Sequence, residues 1–148
     1  MTECIPIRSE LRAKLSDATE AANGWRGWCV NLFARAEHVV GVALRARQPT
    51  AKLPMLISQK VRRLSENLAD PEVRASLEEF TEFLSDRTAL AHGKGKIWID
   101  GADGWLLTLE WVSGKGPERR IFTAKEAMDF RKRLLTAVRR VEAALKQA

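Results

Sequence analysis

Sulfur and imidazole are scarce in this chain, and no long apolar run occurs. Its two cysteines, Cys4 and Cys29, stand isolated. They offer neither a metal-ligand spacing nor a disulfide framework, and a cytosolic chain keeps such cysteines reduced. No apolar stretch approaches the ~20 residues that a membrane span needs. The opening residues, Met1-Thr2-Glu3-Cys4-Ile5-Pro6, carry no basic flank and no apolar signal core. A cytoplasmic protein with no membrane partner is therefore expected. No repeat or low-complexity tract is visible, and no cofactor motif. The acidic run Glu78, Glu79, Glu82 and Asp86 has no second acidic or histidine cluster to complete a metal site, so a solvated face is the expectation there.

What is present points to one globular domain over 1–148. Hydrophobic residues make up 45% and charged residues 30% of the 148, enough to bury a core without staples. The net charge of +6 is concentrated. From Ser113 onward there are ten lysines and arginines against four acids, so residues 1–112 sum to zero. A basic C-terminal third suits a polyanion such as RNA, and equally a solvated helix face.

Apolar spacing of three and four predicts helices. A short one follows Ser9, with a break or kink at Asn23-Gly24. A longer one runs from Trp25 to Arg47, with Trp25, Trp28, Leu32, Ala36 and Ala43 on its stripe. Pro54 starts a third helix that runs through Leu68. Asp70-Pro71 starts a fourth, whose stripe of Val73, Leu77, Phe80 and Leu84 ends on Arg87. After Gly93 the period changes to two. Residues 96–112 read as a β-hairpin around Gly101–Gly104, and Arg119–Phe122 as a short third strand. Thr123 and Glu126 form a capping box for a last helix from Ala124 to about Ala144. The fold class expected is mainly α: a helical bundle with a β-hairpin inserted before the last helix.

The segment with the most chemistry is Ser85-Asp86-Arg87-Thr88-Ala89-Leu90-Ala91-His92-Gly93. An imidazole moves protons near neutral pH, and a guanidinium holds charge developing on phosphorus. Helices, an Arg-x4-His segment at a helix end and a closing helix together resemble the HEPN superfamily. The resemblance implies an α-helical bundle with a metal-independent ribonuclease site. Arg87 would hold the scissile phosphate and His92 would transfer the proton, with no cofactor. It also implies a homodimer whose motifs face each other, an RNA target, and a toxin or phage-defence role with an antitoxin partner. Two positions depart from the family pattern. Thr88 stands where active members often carry Asn, Asp or His. Lys94 stands where many toxin members carry the tyrosine that a partner enzyme adenylylates, and the chain has no tyrosine.

Five residues on an ideal helix turn two side chains about 140° apart. Either the helix unwinds at His92, or a second subunit completes the site. Structural roles compete with the catalytic ones. His92 can cap the last carbonyls of its helix, and Arg87 can form an ion pair with Asp86, Glu82 or Glu78. Lys94 and Lys96, with Arg131, Arg139 and Arg140 on the last helix, are the expected nucleic-acid-binding cations. His38 beside Glu37 reads as a rim position. Trp25 and Trp28 read as core, while Trp98, Trp105 and Trp111 lie in the hairpin. Trp105 and Trp111 share a face, which either packs on the bundle or forms an exposed aromatic platform for bases. The functions in contention are an endoribonuclease, a non-catalytic nucleic-acid or nucleotide-binding module, and a dimerising interaction protein.

Overall fold

The computed structural model describes residues 4–100 and 104–147. Its elements are α1 (Cys4–Arg47), α2 (Ile57–Glu66), α3 (Pro71–Thr81), α4 (Leu84–His92), β1 (Lys94–Asp100), β2 (Gly104–Ser113), β3 (Gly116–Thr123) and α5 (Ala124–Gln147). The fold is mainly α, with a small antiparallel sheet ahead of the last helix. Among the described residues no helix is long and apolar enough to cross a membrane.

The chain gathers into two compact units, Met1–Trp28 with Thr88–Arg131 and Cys29–Arg87 with Lys132–Ala148. In the first, Trp25 is the centre of an aromatic cluster. Its ring lies 4.8 Å from Phe122, 6.0 Å from Phe130 and 6.1 Å from Trp105. Its indole N–H donates to the Ala127 carbonyl at 2.7 Å, so the buried donor is satisfied. In the second unit Leu32, Phe33, Ala36, Val40 and Leu44 of α1 are buried. So are Val61 and Leu64 of α2, Leu77 and Phe80 of α3, and Leu134, Val138 and Val141 of α5.

Several boundaries differ from the sequence expectation. No break occurs at Asn23-Gly24, because α1 is one helix of 44 residues. Ala18, Ala22, Trp25, Cys29 and Leu32 keep one buried stripe through that point. Burying Trp25 outweighs the ~1 kcal/mol that an exposed helical glycine costs. The stripe also turns away from Trp28, which is half-buried. The third helix starts at Ile57 rather than Pro54 and ends at Glu66, short of Leu68. Met55 is 92% exposed, and the first buried anchor is Ile57.

The expected fourth helix divides at Glu82-Phe83. There the Glu82 and Phe83 amides donate three residues back, to Glu79 and Phe80. A tighter turn advances the chain about 120° per residue, which puts Phe83 in the core and leaves Leu84 at its edge. The start signals hold. Asp70 Oδ1 accepts from the Glu72 amide at 2.9 Å, and Thr123 Oγ1 from the Glu126 amide at 3.0 Å.

The hairpin extends to 94–113, and the third strand is full length. The sheet order is β1-β2-β3. The registers pair Lys96 with Thr108 and Thr108 with Ile121. The β2–β3 turn ends on Gly116, whose φ of +117° suits a residue without a side chain. Residues 101–103 of the expected first turn lie outside the described residues. Alternation sends Trp105, Leu107, Leu109 and Phe122 inward, all buried. Lys94, Lys96 and Trp98 of β1 take the opposite face. With them are Leu106, Thr108, Glu110 and Val112 of β2, and Pro117, Arg119 and Ile121 of β3.

Candidate functional site

The end of α4 is held by a residue the sequence reading passed over. Arg26 of α1 donates from Nε to the Leu90 carbonyl at 2.7 Å and from Nη2 to the Gly93 carbonyl at 2.6 Å. Burial holds its pKa below the ordinary arginine value. The Gly93 amide closes the last helical turn onto the Ala89 carbonyl at 2.8 Å. A Cβ on Gly93 would collide with that carbonyl oxygen and lie 3.0 Å from Leu109 Cβ. A Cβ on Gly95 would lie 3.0 Å from Arg26 Nη1. Both glycines therefore give the arginine and the first strand their close approach.

His92 is the last residue of α4 and is exposed. Among the described residues it has no hydrogen-bond or ion-pair partner. The capping role open to it in sequence terms is filled by Arg26. The helix is regular up to His92, which closes the option of unwinding there.

Arg87 lies in the other unit and is tied down. Its Nη2 reaches both carboxylate oxygens of Glu37 on α1, each at 3.2 Å. Both side chains are about a quarter exposed, at 28% and 26%. The Arg87 Nε atom is buried and has no hydrogen-bond partner among the described residues. The ion pair expected from Asp86, Glu82 or Glu78 is thus made by a carboxylate 50 residues away. Glu37 also lines an open hollow with His38, Gly41, Val42, Arg45 and Lys60. The sequence drew attention to Glu37 only as a neighbour of exposed His38, and nothing in it marked Arg87 as its partner.

The other candidate cations fall into two groups. Lys94 and Lys96 are exposed on the sheet, with Lys96 Nζ 4.3 Å above the Trp98 ring centre. On α5, Arg131 stacks 3.9 Å over Trp28. Arg140 Nη1 donates to Glu79 Oε2 at 2.6 Å. Arg139 is exposed, with no ion pair among the described residues. Trp105 is buried and Trp111 half-buried, so the fully presented tryptophan of the sheet is Trp98, at 44% exposure.

No family model, curated protein or solved structure matches the chain.

Proposed function

We propose that this chain acts on RNA as a metal-independent endoribonuclease of toxin or phage-defence type. His92 is the proton-transfer residue. The observation that carries the reading is the state of that imidazole. It sits at a rigidly anchored helix end, open to solvent, with its alternative structural duty taken by Arg26.

In the proposed step a ribose 2′-oxygen attacks the adjacent phosphorus and the bond to the 5′-oxygen breaks. Imidazole takes the 2′-hydroxyl proton or delivers one to the leaving oxygen. Arg87 holds the charge added to the phosphoryl oxygens, for which its guanidinium must exchange Glu37 for phosphate. A second copy of the chain brings a facing motif, so the active species is a homodimer.

Purified protein incubated with end-labelled RNA in EDTA is the test. Cleavage should leave a 2′,3′-cyclic phosphate. His92→Ala should lower the rate at least ~100-fold, the usual contribution of a positioned proton carrier, at an unchanged melting temperature. Equal cleavage by wild type and His92→Ala rejects the assignment. The Arg87–Glu37 pair favours a second reading, a nucleic-acid-binding module without chemistry. Tight, salt-sensitive binding with no cleavage would select it.

A further inference from the structure

The face of the sheet turned away from Trp25 carries exposed side chains on all three strands, and its composition is specific. Trp98 is 44% exposed, Ile121 41% and Val112 80%. Around them stand Lys94, Lys96 and Arg119. Asp100 takes a register position on this side, and Glu110 stands opposite Lys94 and lies 3.9 Å from Arg119 in a solvent-exposed pair. Exposed pairs of that length contribute little, on the order of 0–1 kcal/mol, so Arg119 is readily recruited elsewhere. Among the described residues neither Lys94 nor Lys96 forms an ion pair.

We infer that this open sheet face, with Trp98 as its stacking residue and Lys94, Lys96 and Arg119 as its phosphate contacts, binds single-stranded nucleic acid. Three features of the face favour that occupant over a protein. By register the face carries Lys94, Lys96 and Arg119 against Glu110 and Asp100, a net positive balance that complements a polyanion. The aromatic ring already carries a cation on its π system, and a base takes the same place by stacking. The displaced Lys96 ammonium then serves the neighbouring phosphate.

Size agrees as well. From Lys94 to Trp98 the strand advances about 13 Å, and β1 to β3 spans about 10 Å, room for about two or three nucleotides. A duplex buries its base faces and offers Trp98 nothing to stack on. Ile121 and Val112 add apolar contact without base preference, so affinity should depend weakly on sequence.

The inference takes its ligand class from the RNA-directed reading above, but its readout is binding and not cleavage. The experiment titrates full-length protein into a fluorescein-labelled single-stranded oligonucleotide of 2′-deoxy chemistry, which cannot be cut through a 2′-hydroxyl. Anisotropy gives Kd across a salt series. Trp98→Ala should weaken binding about 5- to 150-fold, the range of one stacked base, and Trp98→Phe should recover part of it. Lys94→Gln combined with Lys96→Gln should flatten the salt slope by about 1.4, from about 0.7 per phosphate contact. The matching duplex should bind more weakly and be insensitive to Trp98.

All these side chains are exposed, so melting temperatures should hold. The lysine pair tests the face even if Trp98→Ala folds poorly. Unchanged Kd in Trp98→Ala together with an unchanged salt slope in the lysine variant overturns the proposal. So does a wild-type dimer that Trp98→Ala converts to a monomer without any effect on binding, which would make the face a contact between copies. Binding through Trp98 without RNA cleavage would reject the nuclease and leave the platform standing. Cleavage with KM indifferent to Trp98 would reject the platform alone.

Discussion

Helix α5 and the open face of the sheet are both basic, yet they offer their charge in different states. On α5, the Arg131 guanidinium sits over the Trp28 ring, and Arg140 is bonded to Glu79 at 2.6 Å. Arg133 stands 5.7 Å over Phe83. On the sheet, Lys94 and Lys96 reach solvent, and among the described residues neither forms an ion pair, although Glu110 stands opposite Lys94 in the register. A count of charges along the chain places the polyanion surface on the C-terminal third. The geometry shows that several of those cations are engaged within the fold. Availability, and not density, is what a phosphate meets. Substitution of engaged cations should therefore appear first as lost stability, and substitution of available ones as lost binding.

The largest effect should come from the most engaged cation. Arg26→Ala removes two charge-assisted bonds, to Leu90 and Gly93, and leaves those carbonyls without their donor. Each such bond is worth about 1.5–3 kcal/mol. A loss of about 3 kcal/mol is expected, which lowers the melting temperature by roughly 6–12 °C. Cleavage should fall as well, since the helix end that carries His92 loses its anchor. An unchanged thermal scan would show that Arg26 is dispensable and that the comparison overrates engagement.

Next in size is Arg87. Its pair with Glu37 is about a quarter exposed, so its worth lies between a surface and a buried bridge. Arg87→Ala should cost about 1–2 kcal/mol in urea unfolding. A cycle with Glu37→Ala should return about 1 kcal/mol of coupling. If Arg87 also holds phosphate, its removal should depress cleavage far beyond what that stability loss explains. A stability loss with full cleavage would mark the arginine as purely structural.

How much of this was legible in sequence depended on whether the information was local. Alternation from Lys96 to Val112, the Thr123 cap and the Asp70-Pro71 start are short-range signals, and each appears in the structure. The continuity of α1 through Asn23-Gly24 was not legible. It depends on what Trp25 packs against, namely Phe122 and Phe130 about a hundred residues later. The Glu82-Phe83 turn was hidden because Phe83 and Leu84 are equally apolar, and only the tightened turn selects one. At the candidate site, the exposed helix-end position of His92 followed from Gly93. The partners did not. Arg26 reaches across 64 and 67 residues to its two carbonyls, and Glu37 across 50 to Arg87. Hydrogen bonds of that separation leave no periodicity to read.

The smallest effect separates two adjacent arginines that sequence treats as equals. Arg139 and Arg140 both lie exposed on α5, but Arg140 is bonded to Glu79 while Arg139 has no ion pair among the described residues. Phosphate must compete with a carboxylate for Arg140 and with water alone for Arg139. Arg139→Ala should therefore lower the salt slope of single-strand binding by up to about 0.7, one phosphate contact. Arg140→Ala should lower it by less. Glu79→Gln sharpens the point, because it removes the competing charge and leaves Arg140 in place. In that background affinity should rise slightly, and Arg140→Ala should then cost as much as Arg139→Ala. Any stability change from losing this exposed pair should stay on the order of 0–1 kcal/mol. If Arg140→Ala matches Arg139→Ala in the wild-type background, engagement by Glu79 does not govern availability. The contrast between α5 and the sheet would then reduce to position alone.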